Sequence, residues 1–230
     1  MGVVIAGLLL LLFFAPTLWV KWAMKKHSQP KASMPGSGGE LAKHLVKRFG
    51  LDGVSVETTE HGDHYDPETK TVRLTESNFS ARSLTAVAIA AHEVGHAIQH
   101  QQGDPRMSAR TRLATLANKL ARVSSAMIWA APLVGLLLRH PVPLSVTFAI
   151  GLSGLITRML LHLVTLPLEW DASFGKALPV LNEGKYVDES DQKAVKQILR
   201  AAAFTYVAAA FADVLNSVSY THLRAHETQR

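Results

Sequence analysis

Apolar residues along this chain fall either into long unbroken runs or into short stretches with helical or alternating spacing. The long runs are Val3 to Val20, Val123 to Leu138, Val142 to Thr157 and the alanine-rich Ala201 to Leu215. The first, closed by Lys21, is long enough to span a bilayer. No basic segment precedes it, and Trp19, Val20, Lys21 and Trp22 make a poor cleavage site, so residues 1–22 are expected to be a retained membrane anchor. The second and third runs are bounded by Arg122, Arg139 and Arg158 and joined by Arg139-His140-Pro141. They are expected to form a transmembrane hairpin over 123–158, with buried helices of a soluble domain as the other reading. Ala201 to Leu215 contains Asp213 and reads either as a last span or as a helix packed on the others.

Between the first two runs the pattern shortens. Pro30 to Gly39 is rich in Pro, Gly and Ser, so residues 23–39 read as a linker. Leu41, Leu45, Val46 and Phe49 predict a helix over Glu40 to Phe49, ended by Gly50. Val54 to Thr58 and Thr71 to Leu74 alternate as short strands around a turn signal at Asp63 to Thr69. Val72 to Leu74 is the candidate free edge for pairing with an extended peptide. Ser83 to Gln102 then has no Pro and one Gly, with Gly103 in the place of a helix C-cap. Residues 40–122 thus form one candidate catalytic domain.

Composition narrows the chemistry. The 230 residues are 48% hydrophobic and carry a net charge of +6. Lys21, Lys25, Lys26 and Lys31 follow the first run, and Arg106, Arg110, Arg112, Lys119 and Arg122 precede the second. Such flanks are topology signals that put the intervening domain on the cytoplasmic side; no nucleic-acid partner is expected. There is no cysteine, which excludes disulfides and thiolate ligands. Any metal must be held by His, Asp or Glu, which suits a catalytic zinc better than a structural one.

Within the 83–102 helix stands His92-Glu93-Val94-Gly95-His96. Histidines four apart share one helix face and can reach one metal ion, and Glu93 can take a proton from a water activated there. A catalytic zinc usually has a third protein ligand. Glu169, in Leu166-Pro167-Leu168-Glu169-Trp170-Asp171-Ala172-Ser173, is the candidate, placed in the first turn of a helix begun or kinked at Pro167. Asp171 would be a supporting carboxylate that orients a ligand histidine. The plainer reading makes both acids solvated residues of a helix start. His162 and His100 are weaker ligand candidates. In Asp63-His64-Tyr65-Asp66, His64 or Tyr65 could steady an oxyanion, although turn chemistry at Asp66-Pro67 accounts for half the cluster.

These blocks together resemble a known family. Ser37-Gly38-Gly39-Glu40, Asp63 to Pro67, Val72 to Glu76, Ala90 to Gln99, Leu166 to Ser173 and Ala201 to Ala210 are similar, in order, to the YugP-type neutral zinc metallopeptidases of bacterial membranes. The resemblance implies a multi-pass zinc peptidase of the bacterial cytoplasmic membrane, with Zn2+ as cofactor and a peptide or protein as substrate. A more distant similarity is to prenyl-protein and HtpX-type membrane proteases, whose zinc-binding glutamate matches Glu169. There an aspartate follows four residues later; here that position is Ser173. The expected fold is α+β and mostly helical, a multi-pass membrane protein with a small zincin-like domain built of a short antiparallel sheet and the HExxH helix. Third-ligand and C-terminal helices occupy 159–217. The stretch 218–230 resembles a translated sequencing adapter, so His222, His226 and Glu227 are not counted as ligands. The rival to catalysis is a silent zinc-fold scaffold in the membrane; oligomeric state is left open.

Overall fold

A computed structural model of the chain describes residues 2–138 and 141–227. Its elements run α1 (Gly2–Lys26), α2 (Gly38–Arg48), β1 (Ser55–Thr59), β2 (His64–Asp66), β3 (Thr71–Thr75), α3 (Glu76–Ser80) and α4 (Leu84–Gln101). Then follow α5 (Pro105–Leu138), α6 (Pro141–Trp170), a π-helical segment (Asp171–Ala177), α7 (Leu178–Glu183) and α8 (Gln192–Glu227). The chain divides into two units, one of residues 15–107 with 166–205, the other of 1–14, 108–165 and 206–230.

Local chemistry sets the helix ends in the first of these units. Ser37 caps α2 in a reciprocal capping box with Glu40, satisfying two donors that the first turn would otherwise leave unpaired. The Ser83 hydroxyl accepts from the Ala86 N–H at the start of α4. After α4, Gly103 takes φ +67, a left-handed conformation that glycine adopts without a Cβ penalty.

The three-stranded sheet has the order β1-β3-β2. β3 runs parallel to β1, with Val56 opposite Val72, and antiparallel to β2, with Tyr65 opposite Val72. The expected antiparallel sheet is therefore mixed, because β2 leaves β1 and pairs on the far side of β3. β3 is the central strand: Val72 and Arg73 pair with both β1 and β2 and Leu74 with Thr58 of β1, so this stretch is not the expected free edge. Asp66 closes the β2–β3 turn by accepting from the Glu68 and Thr69 N–H groups and from the Thr69 hydroxyl.

Every residue of α4 from Leu84 to Gln99 is buried. A helix buried on all faces belongs at the centre of a core. Leu41 and Leu45 of α2, Val72 and Leu74 of β3, Leu181 of α7 and Ile198 of α8 belong to the hydrophobic cluster that includes Val87 and Val94 of α4. The polar groups that α4 carries between Leu84 and Gln99 are therefore buried with this core.

In the other unit, α5 and α6 approach closely through small residues. The Ser124 hydroxyl donates to the Ile150 carbonyl at 3.0 Å, and a Cβ on Gly154 would lie 2.2 Å from the Ser124 oxygen. Among the described residues, no helix is long and apolar enough to cross a membrane, which corrects the expected multi-pass architecture. Basic residues occupy the first half of α5, so its apolar run, 123–138, is 16 residues. Such a run covers about 24 Å, against about 30 Å of bilayer hydrocarbon. The run in α6 is no longer, ending at Arg158. The hairpin turn expected at Arg139 and His140 lies outside the described residues, as do the side chains of residues 1–13 within the expected Val3 to Val20 anchor and those of the suspected tail.

Candidate metal centre

His92 and His96 lie one turn apart near the middle of α4, both 4% exposed, with Glu93 at 6%. Their rings stand edge to face, 4.7 Å between centroids. Glu169, at 1% exposure, comes from the last turn of α6. Its Oε2 lies 3.2 Å from His96 Nε2 and 3.4 Å from His92 Nε2. The ligand atoms of these three residues all fall within 4.8 Å of one another.

What brings Glu169 there differs from the expectation in one respect. Pro167 sits inside α6 rather than starting a helix, so Glu169 lies at a helix end and not in a first turn. After Trp170 the chain continues directly into the π-helical segment, a form often found at functional sites. The segment packs on Gly95, where an added Cβ would stand 2.8 Å from the Ala172 carbonyl oxygen. Glycine inside the HExxH sequence thus permits the backbone approach that carries Glu169 to the histidines.

Each histidine has a buried polar partner behind it. Ser173 Oγ lies 3.0 Å from His92 Nδ1 and donates to the Leu199 carbonyl at 2.9 Å. A hydroxyl has one proton, and a carbonyl only accepts, so Ser173 must accept from His92 Nδ1–H. His92 Nε2 is then the ring nitrogen that faces Glu169. Behind His96 stands Gln99, fully buried, with Oε1 2.9 Å from Nδ1. Asp171 touches neither histidine. Its Oδ2 accepts from Gln99 Nε2 at 2.7 Å, with Arg106 Nη2 at 3.3 Å and Lys176 Nζ at 3.8 Å. Any support Asp171 gives to a ligand therefore passes through Gln99.

The remaining candidates have other partners. His64 Nδ1–H donates to the Gly62 carbonyl at 2.8 Å. The Tyr65 hydroxyl lies 2.8 Å from His100 Nδ1. Burial, helped by the Asp66 charge, pushes the Tyr65 phenol up to about 12, so it keeps its proton at neutral pH and can donate it to His100. His162 packs against Tyr206, 5.9 Å between ring centroids. None of these four belongs to the group of converging ligand atoms. Gln99 and Ser173 were not singled out as site residues by their sequence. The available signals were spacing: Gln99 follows His96 by three positions on one helix, and Ser173 follows Glu169 by four.

The donor set fits zinc. Two imidazole nitrogens and a carboxylate oxygen are ligands of catalytic zinc, and no thiolate is required. Burial pushes the Glu169 carboxyl up, but His96 and His92 more than reverse this and hold it well below the usual carboxylate range. A buried carboxylate beside two imidazole nitrogens needs positive charge next to it, which a metal ion would supply in place of the ring protons.

A family model described as "Putative neutral zinc metallopeptidase" matches residues 2–224. "Putative membrane protease YugP" of Bacillus subtilis (strain 168) is 31% identical over 203 residues, covering 87% of this chain and 86% of that protein. No solved structure matches the chain.

Proposed function

The chain belongs to this family of neutral zinc metallopeptidases, and we propose that it hydrolyses peptide bonds at a zinc held by His92, His96 and Glu169. The observation that supports this reading is the buried convergence of His92 Nε2, His96 Nε2 and Glu169 Oε2, brought together across 73 positions of sequence from His96 to Glu169. Zinc, when bound, supplies a Lewis acid that activates water and steadies negative charge on the peptide oxygen. Glu93 takes the proton that water loses on attack and returns it to the amide nitrogen. The nitrogen then leaves as a neutral amine; an amide anion is too basic to depart at neutral pH. His92 and His96 serve as neutral ligands, so the site retains the negative charge of Glu169 and with it the attraction for a divalent cation.

Purified protein incubated with quenched fluorescent peptides tests the proposal, with bound zinc measured alongside. Glu93→Gln should bind zinc as the wild type does and lose cleavage by about 10²- to 10⁴-fold, the usual contribution of a positioned general base. Undiminished cleavage by Glu93→Gln would overturn the mechanism. Absence of zinc from the wild type after supplementation would remove the enzyme reading and leave a scaffold.

A further inference from the structure

We infer that Gln99 is a positioning residue that sets the tautomer of His96 and ties that histidine to the segment carrying Glu169, an inference that rests on the zinc site proposed above. The Gln99 amide has two hydrogens. One goes to the Leu168 carbonyl at 3.0 Å and the other to Asp171 Oδ2 at 2.7 Å. Both partners accept only, so the amide cannot be turned round without setting its oxygen against two oxygens. Gln99 Oε1 is thereby aimed at His96 Nδ1, 2.9 Å away, and can only accept. His96 must carry a proton on Nδ1, which leaves Nε2, the nitrogen that faces Glu169, as the one open to a metal. Leu168 directly precedes Glu169, so the same side chain that sets one ligand's tautomer also grips the backbone beside the other. Complete burial of Gln99 removes water as a substitute partner. Ser173 holds His92 separately, through a different helix carbonyl, so the two tautomers are set independently.

The test reads nitrogen chemical shifts of the histidine rings in metal-free, nitrogen-15-labelled protein. Wild type should show both His92 and His96 protonated on Nδ1; a His96 whose Nδ1 is bare or averaging would overturn the inference. In Gln99→Met, His96 alone should move toward the Nε2–H form, and zinc affinity, measured by chelator competition, should fall about 10- to 100-fold. An unmoved His96 or unchanged zinc affinity in that variant would count against Gln99. A second pair guards against misfolding. Gln99→Glu places two carboxylates together and should weaken zinc, while Gln99→Glu with Asp171→Asn restores a donor–acceptor pair and should recover part of the loss. No recovery would show that the Gln99–Asp171 contact does not act on the site. The ring shifts are read without zinc and without cleavage, so a failure here is distinct from a failure of the peptidase proposal.

Discussion

A Cβ on Gly95 would stand 2.8 Å from the carbonyl oxygen of Ala172 and 3.3 Å from the Lys176 Cβ. This backbone contact between α4 and the π-helical segment is the physical link between the HExxH sequence and Glu169. Gly95→Ala should raise helix propensity yet destabilise the protein, because the overpacked carbonyl cannot shift without moving the segment. A net loss of about 1–3 kcal/mol is expected in urea denaturation, accompanied by weaker zinc binding. A variant as stable as wild type, with equal zinc affinity, would show that the contact has slack.

Ser173→Ala removes the hydroxyl that accepts from His92 Nδ1–H and also leaves the Leu199 carbonyl without that donor. Because Ser173 is fully buried, the stability cost should be about 1–3 kcal/mol. Zinc affinity should fall about 10- to 100-fold, read by competition with a chelator. His96 should keep its tautomer in this variant.

Metal removal should lower thermal stability. A ligand that binds only the native state at 100 times its dissociation constant adds about 2.7 kcal/mol. A strong chelator should therefore lower the melting temperature of wild type and scarcely move that of Glu169→Ala, which lacks the carboxylate that draws the cation. Equal shifts in both proteins would place the stabilising metal elsewhere.

Asp66 makes a pH-dependent contribution of its own. The Arg73 guanidinium, 2.8 Å away, lowers its carboxyl from 3.8 to about 2, against a smaller opposing effect of burial. A folded value below the unfolded one means that the stabilisation is present above about pH 4 and is lost as pH falls toward about 2. Because the pair is partly screened by solvent, about 1 kcal/mol is expected. Wild type should exceed Asp66→Asn by that amount at pH 5 in chemical denaturation, and the two should converge near pH 2. A gap that persists at pH 2 would assign the effect to turn geometry instead.

Local chemistry was legible in the sequence. Ser83 and Gly103 bound the HExxH helix because capping and left-handed backbone are decided within one turn. Alternation placed the strands near 54–58 and 71–74, observed at Ser55–Thr59 and Thr71–Thr75. The four-residue spacing puts His92 and His96 on one face of any helix that contains them. Pairing order was not legible: alternation tells which face of β3 is buried, not that β1 and β2 both hydrogen-bond to it. Long apolar runs likewise suggested a membrane hairpin, because hydropathy alone does not distinguish a span from a helix with a charged half. The tertiary structure alone decided the rest. Glu169 meets the histidines because Gly95 admits the Ala172 carbonyl, and the ring protons are placed by Ser173 and Gln99, whose partners Leu199 and Leu168 lie in other helices. Capping and periodicity act between neighbours in the chain, whereas a ligand set is made by close packing between segments far apart in it.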